Sequence, residues 1–244
     1  MLRVVTYNVH KCQGLDRRVR PARIASVLRE LDADVVGLQE VVNVEDDQRR
    51  EHHQARFIAE ELGYEFRIGE NRKHAGGAYG NVVLTRLPVV HCHNYDITWR
   101  WQEPRGALRV DVSIGEPDAP VIHLFNVHLG TAFVERRHQG RKLVADGILR
   151  DPRLKNPRVV LGDFNEWTRG LASRLLSEEL RSADLRQHLR TRRTYPGPLP
   201  FMHLDHVYYE RTLTLERLAL HRSRLSLVAS DHLPLIADFR LIAT

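Results

Sequence analysis

Polar and apolar positions along the chain follow two periods, and the switches between them mark out the elements. Leu2–Tyr7 is a short apolar run that stops at Asn8 and predicts a buried strand. Pro21–Leu31 puts Ile24, Val27, Leu28 and Leu31 at the i, i+3, i+4, i+7 spacing of an amphipathic helix. Pro21 sits in its first turn, where a missing N–H leaves no helical bond unmade. Asp34–Gln39 (DVVGLQ) is again a short apolar strand. From about Arg50 to Leu62 the helical period returns, with Ala55, Ile58, Ala59 and Leu62 on one face. Strands are predicted near Tyr64–Ile68, Gly80–Thr85, Val89–His93, Ala107–Ile114 and Val121–Val127, and helices at Val134–Leu149 and Leu171–Leu180. Arg158–Leu161, Asp205–Tyr209, Leu213–His221 and Leu235–Leu241 read as strands.

This order mixes hairpins with strand–helix–strand units. Two sheets packed face to face with helices outside would bury every apolar face. The expectation is an α/β fold, a four-layer α-β-β-α sandwich of two mixed β-sheets with flanking helices. No Pro-, Gly- or Ser-rich linker divides the chain, which predicts one domain over residues 1–244. The Pro-rich stretch Thr194–Leu204 (TYPGPLPFMHL) runs straight into a strand and reads as an ordered loop.

Composition narrows the class. With 42% hydrophobic and 28% charged residues, the 244-residue chain suits a soluble protein with a sizeable core. No apolar run is long enough to span a bilayer, and Asn8 comes too early for the h-region of a signal peptide. Two cysteines, Cys12 and Cys92, argue against a disulfide framework and suit a reducing compartment, so the expected location is cytoplasmic. A net charge of +6 and a pI of about 9.6 favour a polyanionic partner, nucleic acid or an anionic lipid surface. The support is mild, because 33 of the 37 basic residues are arginine and most must be ordinary surface.

The candidate chemistry lies where buried strands end. Asn8 closes the first strand, Glu40 the second, His128 the strand VIHLFNVH, and Asp163 and Asn165 the strand VVLGDFN; Asp205 opens DHVYY, and Asp231–His232 precede the last strand. Singly, each has an ordinary explanation: a turn carboxylate, an Asx-turn, a satisfied core histidine. Together they fit one site. Carboxylate and amide oxygens suit a hard cation such as Mg²⁺ or Mn²⁺. An aspartate beside a histidine makes a general base, and a second histidine with an asparagine can donate to a phosphate.

These residues fall in the motifs TYNVH, GLQEV, YGNVVLTRLPV, NVHLG, GDFN, LDHVYY and SDHLPL. Their order and content resemble the endonuclease/exonuclease/phosphatase superfamily, over nearly the whole chain. The resemblance implies the αββα sandwich and metal-dependent hydrolysis of phosphate esters, with Mg²⁺ or Mn²⁺ as cofactor. It implies Glu40 as principal metal ligand, helped by Asn8, with Asp231 as a further ligand or a second-site ligand. His232 would be the general base, oriented by Asp205. Asp163 and Asn165 would position the water and bind the scissile phosphate, and His128 would hydrogen-bond it. The number of metals and the general acid stay open.

The substrate is less determined. The expected reaction is cleavage of a phosphodiester, with nucleic acid as the first reading, so a nuclease, and a phospholipid headgroup or small phosphoester as the alternative. A non-catalytic binding module on the same fold is a third reading, disfavoured because Glu40, Asp163, Asp205 and His232 are all present. Trp99 and Trp101 would share a face if their segment were extended, able to stack on bases or enter a lipid interface, though such a pair is more often half-buried. Arg105 is in reach of a phosphate on one reading and solvated on the other. Tyr195, Phe201 and Met202 would wall the cleft, and the basic run Leu189–Tyr195 leads into it. Finally, Asn-Val-His occurs twice, at Asn8–His10 and Asn126–His128. The two copies read as equivalent positions, with Asn8 on the metal, His128 on the phosphate, and His10 and Asn126 in the floor.

Overall fold

In a computed structural model of the chain, residues 1–44, 52–74, 76–115, 120–155, 157–166, 170–183, 194–196 and 202–241 are described. Twelve strands form two six-stranded sheets among these residues. The first sheet has the order β11 (Leu213–Leu220), β12 (Leu235–Leu241), β1 (Leu2–Asn8), β2 (Val35–Asn43), β4 (Gly77–Thr85), β3 (Glu65–His74). The second has β5 (Val89–Asp96), β6 (Gly106–Ser113), β7 (Val121–His128), β8 (Arg158–Asp163), β10 (Asp205–Tyr209), β9 (Arg181–Ser182). Each sheet has one parallel pair at its heart, β1 with β2 and β7 with β8, and antiparallel pairs around it. The parallel pairs are joined by the crossover helices α1 (Pro21–Leu31) and α3 (Phe133–Leu143). Among the described residues the other α-helices are α2 (Gln54–Leu62), α4 (Leu171–Glu179) and α5 (Ser226–Ala229).

The four layers follow from strand alternation. Leu2 and Val4 of β1, Val35 of β2, Leu124 of β7 and Val159 and Leu161 of β8 point between the sheets into one apolar core. The alternate residues point outward: Val5, Tyr7, Val36 and Leu38 meet Ile24, Val27 and Leu28 of α1, while Phe125, Val127 and Val160 meet Leu143 and Leu176 of α3 and α4. The sheets approach closely at Gly37, where an added Cβ would lie 2.3 Å from Leu161 Cδ1.

Several boundaries differ from the sequence reading. The helix expected at Val134–Leu149 ends at Leu143, and turns follow through Ala145-Asp146-Gly147, whose Asp-Gly pair favours a turn. The helix expected from Arg50 begins at Gln54, and residues 45–51 lie outside the described residues. The strands near Tyr64–Ile68 and Gly80–Thr85 are parts of a longer hairpin, β3–β4. Trp99 and Trp101 do not share an extended face: a turn closed by Gln102 N–H on Trp99 O (3.1 Å), with Arg100 at φ 52°, leaves Trp101 82% exposed and Trp99 half-buried.

Candidate active site

The inward rows turn polar toward one end of the sandwich. On β1 the row runs Leu2, Val4, Thr6, Asn8; on β7 it runs Ile122, Leu124, Asn126, His128. Above the apolar core lies a buried amide layer. Gln39 Nε2 donates to Thr6 Oγ1 (3.1 Å) on the neighbouring strand and, across the gap between sheets, to Asn126 Oδ1 (2.7 Å). Asn126 Nδ2 donates to the carbonyls of Leu38 (2.8 Å) and Val82 (2.9 Å), and Asn81 Nδ2 to those of Gly106 (3.0 Å) and Asn126 (3.2 Å). Asn126 is thus a floor residue, as the sequence suggested.

His10 is not its counterpart. The parallel registers pair Val4 with Val35 and Asn8 with Gln39 in one sheet, and Leu124 with Val159 and His128 with Asp163 in the other. Gln39 bonds Thr6 and Asn126 together, so Thr6 stands level with Asn126, and two residues on, Asn8 and His128 each end their strand. The two Asn-Val-His copies are therefore two residues out of step. His10 lies beyond the strand in a 3-10 turn, at φ 45°, with its Nδ1 3.8 Å from Asp231 at the cleft mouth.

Glu40 does not close β2. The strand continues to Asn43 through a β-bulge in which Gln39 and Glu40 together oppose Asn81, and Glu40 takes φ 58°. A regular strand would send neighbours to opposite faces. The bulge lets Gln39 enter the amide layer while Glu40 turns toward the cleft. There Glu40 Oε1 accepts from Asn8 Nδ2 (3.2 Å), and Oε2 lies 3.5 Å from Lys11 Nζ. Burial raises its pKa, but His128, Lys11, Asn8 and His10 outweigh that and draw it down to about 2. Asn8 Nδ2 also donates to Asp163 Oδ2 (3.0 Å), while its Oδ1 accepts the His10 N–H (3.0 Å). As placed, Asn8 steadies two carboxylates.

Asp163 divides its two oxygens. Oδ1 accepts the Asn165 N–H (2.9 Å), the Asx-turn expected of such a residue, with Asn165 at φ 50°. Oδ2 faces Asn8, His128 Nε2 (3.7 Å) and His232 Nε2 (3.6 Å). Burial raises the Asp163 pKa to about 6, with Asp205 adding to the rise and His232, Asn8 and the Asn165 N–H opposing it. His232 Nδ1 is 2.9 Å from Asp205 Oδ2, and Asp205 is fully buried. Burial alone would lower His232; Asp205, Asp163 and Asp231 outweigh it and hold the imidazole protonated, up to about 10. Ser230 Oγ donates to Asn8 O (2.8 Å) and ties this loop to the end of β1.

A cleft of about 420 Å³ is lined by Asn8, Glu40, His128, Asp163, Asn165, Asp231 and His232, with Asp205 directly beneath His232. The residues singled out from the sequence thus meet in one place. Arg105 meets them too and lines the same cleft, but it is not solvated: it is 6% exposed, with Nη1 3.0 Å from His128 Nδ1 and Nη2 donating to Glu103 (2.8 Å). Burial and the Arg105 charge push His128 down to about 3. Tyr195 and Met202 do line the cleft, and the Tyr195 ring packs 4.9 Å from that of His232. Phe201 and residues 189–193 of the basic run lie outside the described residues. Lys11, Arg72, Tyr79 and Glu103 also line the cleft and were not singled out. Lys11 directly follows the TYNVH motif, the one signal that pointed to it.

The donor set fits a hard divalent cation. Glu40 and Asp231 bring carboxylates to the same cleft, Asp205 Oδ1 is buried with no hydrogen-bond partner among the described residues, and Asp163, Asp205 and His232 hold ligand-type atoms within 4.8 Å of one another. The protonated His232 offsets Asp163 and Asp205, and the Glu40 and Asp231 oxygens are of the kind that suits a hard cation.

A sequence profile of the Endonuclease/Exonuclease/phosphatase family matches residues 5–232. The chain belongs to this family. It is 31% identical over 250 residues to the uncharacterized protein YbhP of Escherichia coli K12, covering 98% of this chain and 96% of that one. Among solved structures it is similar to the mannosyl-6-phosphatase Bt3783 of Bacteroides thetaiotaomicron (19% identity, 99% of this chain and 100% of that one, TM-score 0.78). It is also similar to D. rerio TDP2 complexed with a single-strand DNA product (17% identity, 98% of each chain, TM-score 0.75). Members of the family are hydrolases acting on phosphoesters, and the α/β sandwich described above is the fold they share.

Proposed function

We propose that the chain is a Mg²⁺- or Mn²⁺-dependent phosphodiesterase in which His232 activates the attacking water. The observation that carries this reading is the arrangement of His232. Its Nδ1 is held by buried Asp205 at 2.9 Å, and its Nε2 faces the cleft beside Asp163 at 3.6 Å. An aspartate on one ring nitrogen fixes the tautomer and leaves the other to exchange a proton.

Glu40 and Asp231 would hold the cation, with Asn8 steadying Glu40. Bound there, it would neutralise phosphate charge and act as a Lewis acid. The chain's own residues do the rest. His128 and Asn165 donate to a phosphoryl oxygen and Asp163 positions the water; His232, charged in the metal-free protein, would lose its extra proton once a cation offsets the surrounding carboxylates, and would then take the proton of the attacking water. Nucleic acid is the substrate we favour, supported by the net charge of +6 and by Lys11 and Arg72 at the cleft wall. A phospholipid headgroup or small phosphoester is the alternative, which the exposed Trp101 side chain favours in the lipid case.

The test incubates the protein with Mg²⁺ or Mn²⁺ and DNA, RNA, abasic DNA, sphingomyelin, anionic phospholipid vesicles and bis(4-nitrophenyl) phosphate. Cleavage of at least one, abolished in Glu40→Gln and His232→Ala variants that still fold, is the expected result. Wild-type turnover in His232→Ala would sink the assignment of the base.

A further inference from the structure

Arg105 stands just before β6, and its backbone is fixed on both sides. Its N–H donates to Thr98 Oγ1 (3.0 Å), and its carbonyl accepts the Ile97 N–H (2.9 Å). The guanidinium is fixed as well, by Glu103 Oε2 at Nη2; Glu103 Oε1 in turn accepts from Arg72 Nε (3.1 Å). Together these bonds deliver Nη1 to His128 Nδ1 at 3.0 Å in a buried position.

The chemistry of that pairing has one solution. A guanidinium has five N–H donors and no acceptor. For the pairing to be a hydrogen bond, Nδ1 must be the acceptor. The ring is then neutral, and its single proton sits on Nε2. A second observation shows where this proton points. His128 Nε2 lies 3.3 Å from Asn165 Nδ2, and Nδ2 already donates to Leu129 O at 2.9 Å, which fixes the amide with its nitrogen toward the histidine. Two groups that can only donate therefore face each other, with Asp163 Oδ2 no closer than 3.7 Å to Nε2. Among the described residues such convergent donors lack an acceptor until an oxygen enters between them, the preorganised arrangement that stabilises developing negative charge.

We propose that Arg105 is a positioning residue for His128: by donating to Nδ1 it obliges the imidazole to present Nε2–H, beside the Asn165 amide, to a phosphoryl oxygen of the substrate. It acts through the histidine rather than by gripping phosphate itself. The value of the device is that His128 stays a donor without becoming an acid: a positive neighbour disfavours a second proton on the ring. The inference rests on the phosphoester-hydrolase reading for its purpose, but not for its geometry.

Two measurements test it separately. The first is long-range ¹H–¹⁵N NMR of the imidazoles in the metal-free full chain, with His128 assigned by the disappearance of its signals in His128→Gln. The wild-type protein should show Nδ1 unprotonated and Nε2 protonated. Arg105→Met should release the ring to a mixture of tautomers or to ordinary titration. Arg105→Lys, which also can only donate, should keep the wild-type pattern. The second is turnover of bis(4-nitrophenyl) phosphate with Mg²⁺. Arg105→Met should lower kcat by about tenfold or more with KM little changed, less than the about 10²–10³ expected for losing a donor outright, and Arg105→Lys should recover most of it. A wild-type proton on Nδ1, an unaltered His128 pattern in Arg105→Met, or a raised KM with unchanged kcat would each overturn the proposal. If no phosphoester is cleaved at all, the function proposed above fails, and the NMR result still decides what Arg105 does.

Discussion

His232 is pulled by burial toward its neutral form and by three carboxylates toward its charged one, and the carboxylates win. The consequence for the metal-free protein has a definite sign. The folded-state pKa of about 10 lies above the unfolded value of about 6.5. The charged ring therefore stabilises the fold fully below about pH 6.5, and that contribution fades as pH rises through about 10. We expect the gap in Tm between wild type and His232→Asn, measured with EDTA present, to shrink across this window. Taking the difference cancels buried Tyr7 and Cys12, whose raised pKa values act in both proteins. Asp163, raised to about 6, is already ionised over most of the window. In turnover, loss of a general base costs about 10²–10⁴, and we expect His232→Ala to fall in that range. That Glu40, Asp163, Asp205 and His232 would come together was legible in the sequence, because each is a polar residue interrupting or flanking an apolar strand. Arg105 was misread in part. Among 33 arginines nothing local marks Arg105 as the one beside His128, since the two are 23 positions apart.

At the level of elements, the bulge in β2 and the close approach of β8 to β7 decide where side chains point. Gly162 has φ 148°, and a Cβ there would sit 1.9 Å from Val127 O. Gly162→Ala should therefore lose stability in chemical denaturation and move the adjacent Asp163, lowering turnover as well. Asn126 fills the amide layer, bonding Gln39, Leu38 and Val82. Asn126→Ala takes a donor from the Leu38 and Val82 carbonyls, while Gln39 keeps Thr6 and the Gly37 carbonyl. At about 1–3 kcal/mol for each unsatisfied buried group, we expect a destabilisation of about 3 kcal/mol by urea denaturation. Replacing an exposed residue such as Trp101 should leave the midpoint unchanged. Alternation predicted which residues of β1 and β7 face inward. It did not predict that Glu40 escapes alternation, because a bulge depends on the partner strand's register, which the sequence of β2 alone does not contain. The offset between the two Asn-Val-His copies was hidden for the same reason.

For the molecule as a whole, the cleft joins elements from both sheets, so cation binding should stabilise the entire fold. At a free Mg²⁺ concentration of about 100 times its Kd, linkage gives about 2.7 kcal/mol. We expect a rise in wild-type Tm on adding Mg²⁺ and a smaller rise in Glu40→Gln; equal shifts would remove Glu40 from the ligand set. If nucleic acid is the substrate, Lys11→Gln and Arg72→Gln should weaken binding. For every phosphate that a variant no longer neutralises, the slope of log affinity against log salt should fall by about 0.7–0.9. An unchanged slope, with Trp101→Ala impaired on vesicles alone, would favour the lipid alternative. The sequence by itself determined the layers and the residue types of the site, because apolar periodicity sets which faces must be buried and strand ends are where polar residues interrupt it. Only the tertiary structure decided how those residues divide the work. Asn8 bridges two carboxylates, Asn126 and Gln39 seal the floor, and Arg105 reaches His128 Nδ1, because each of these interactions joins segments far apart in the chain and depends on the register and spacing of two facing sheets.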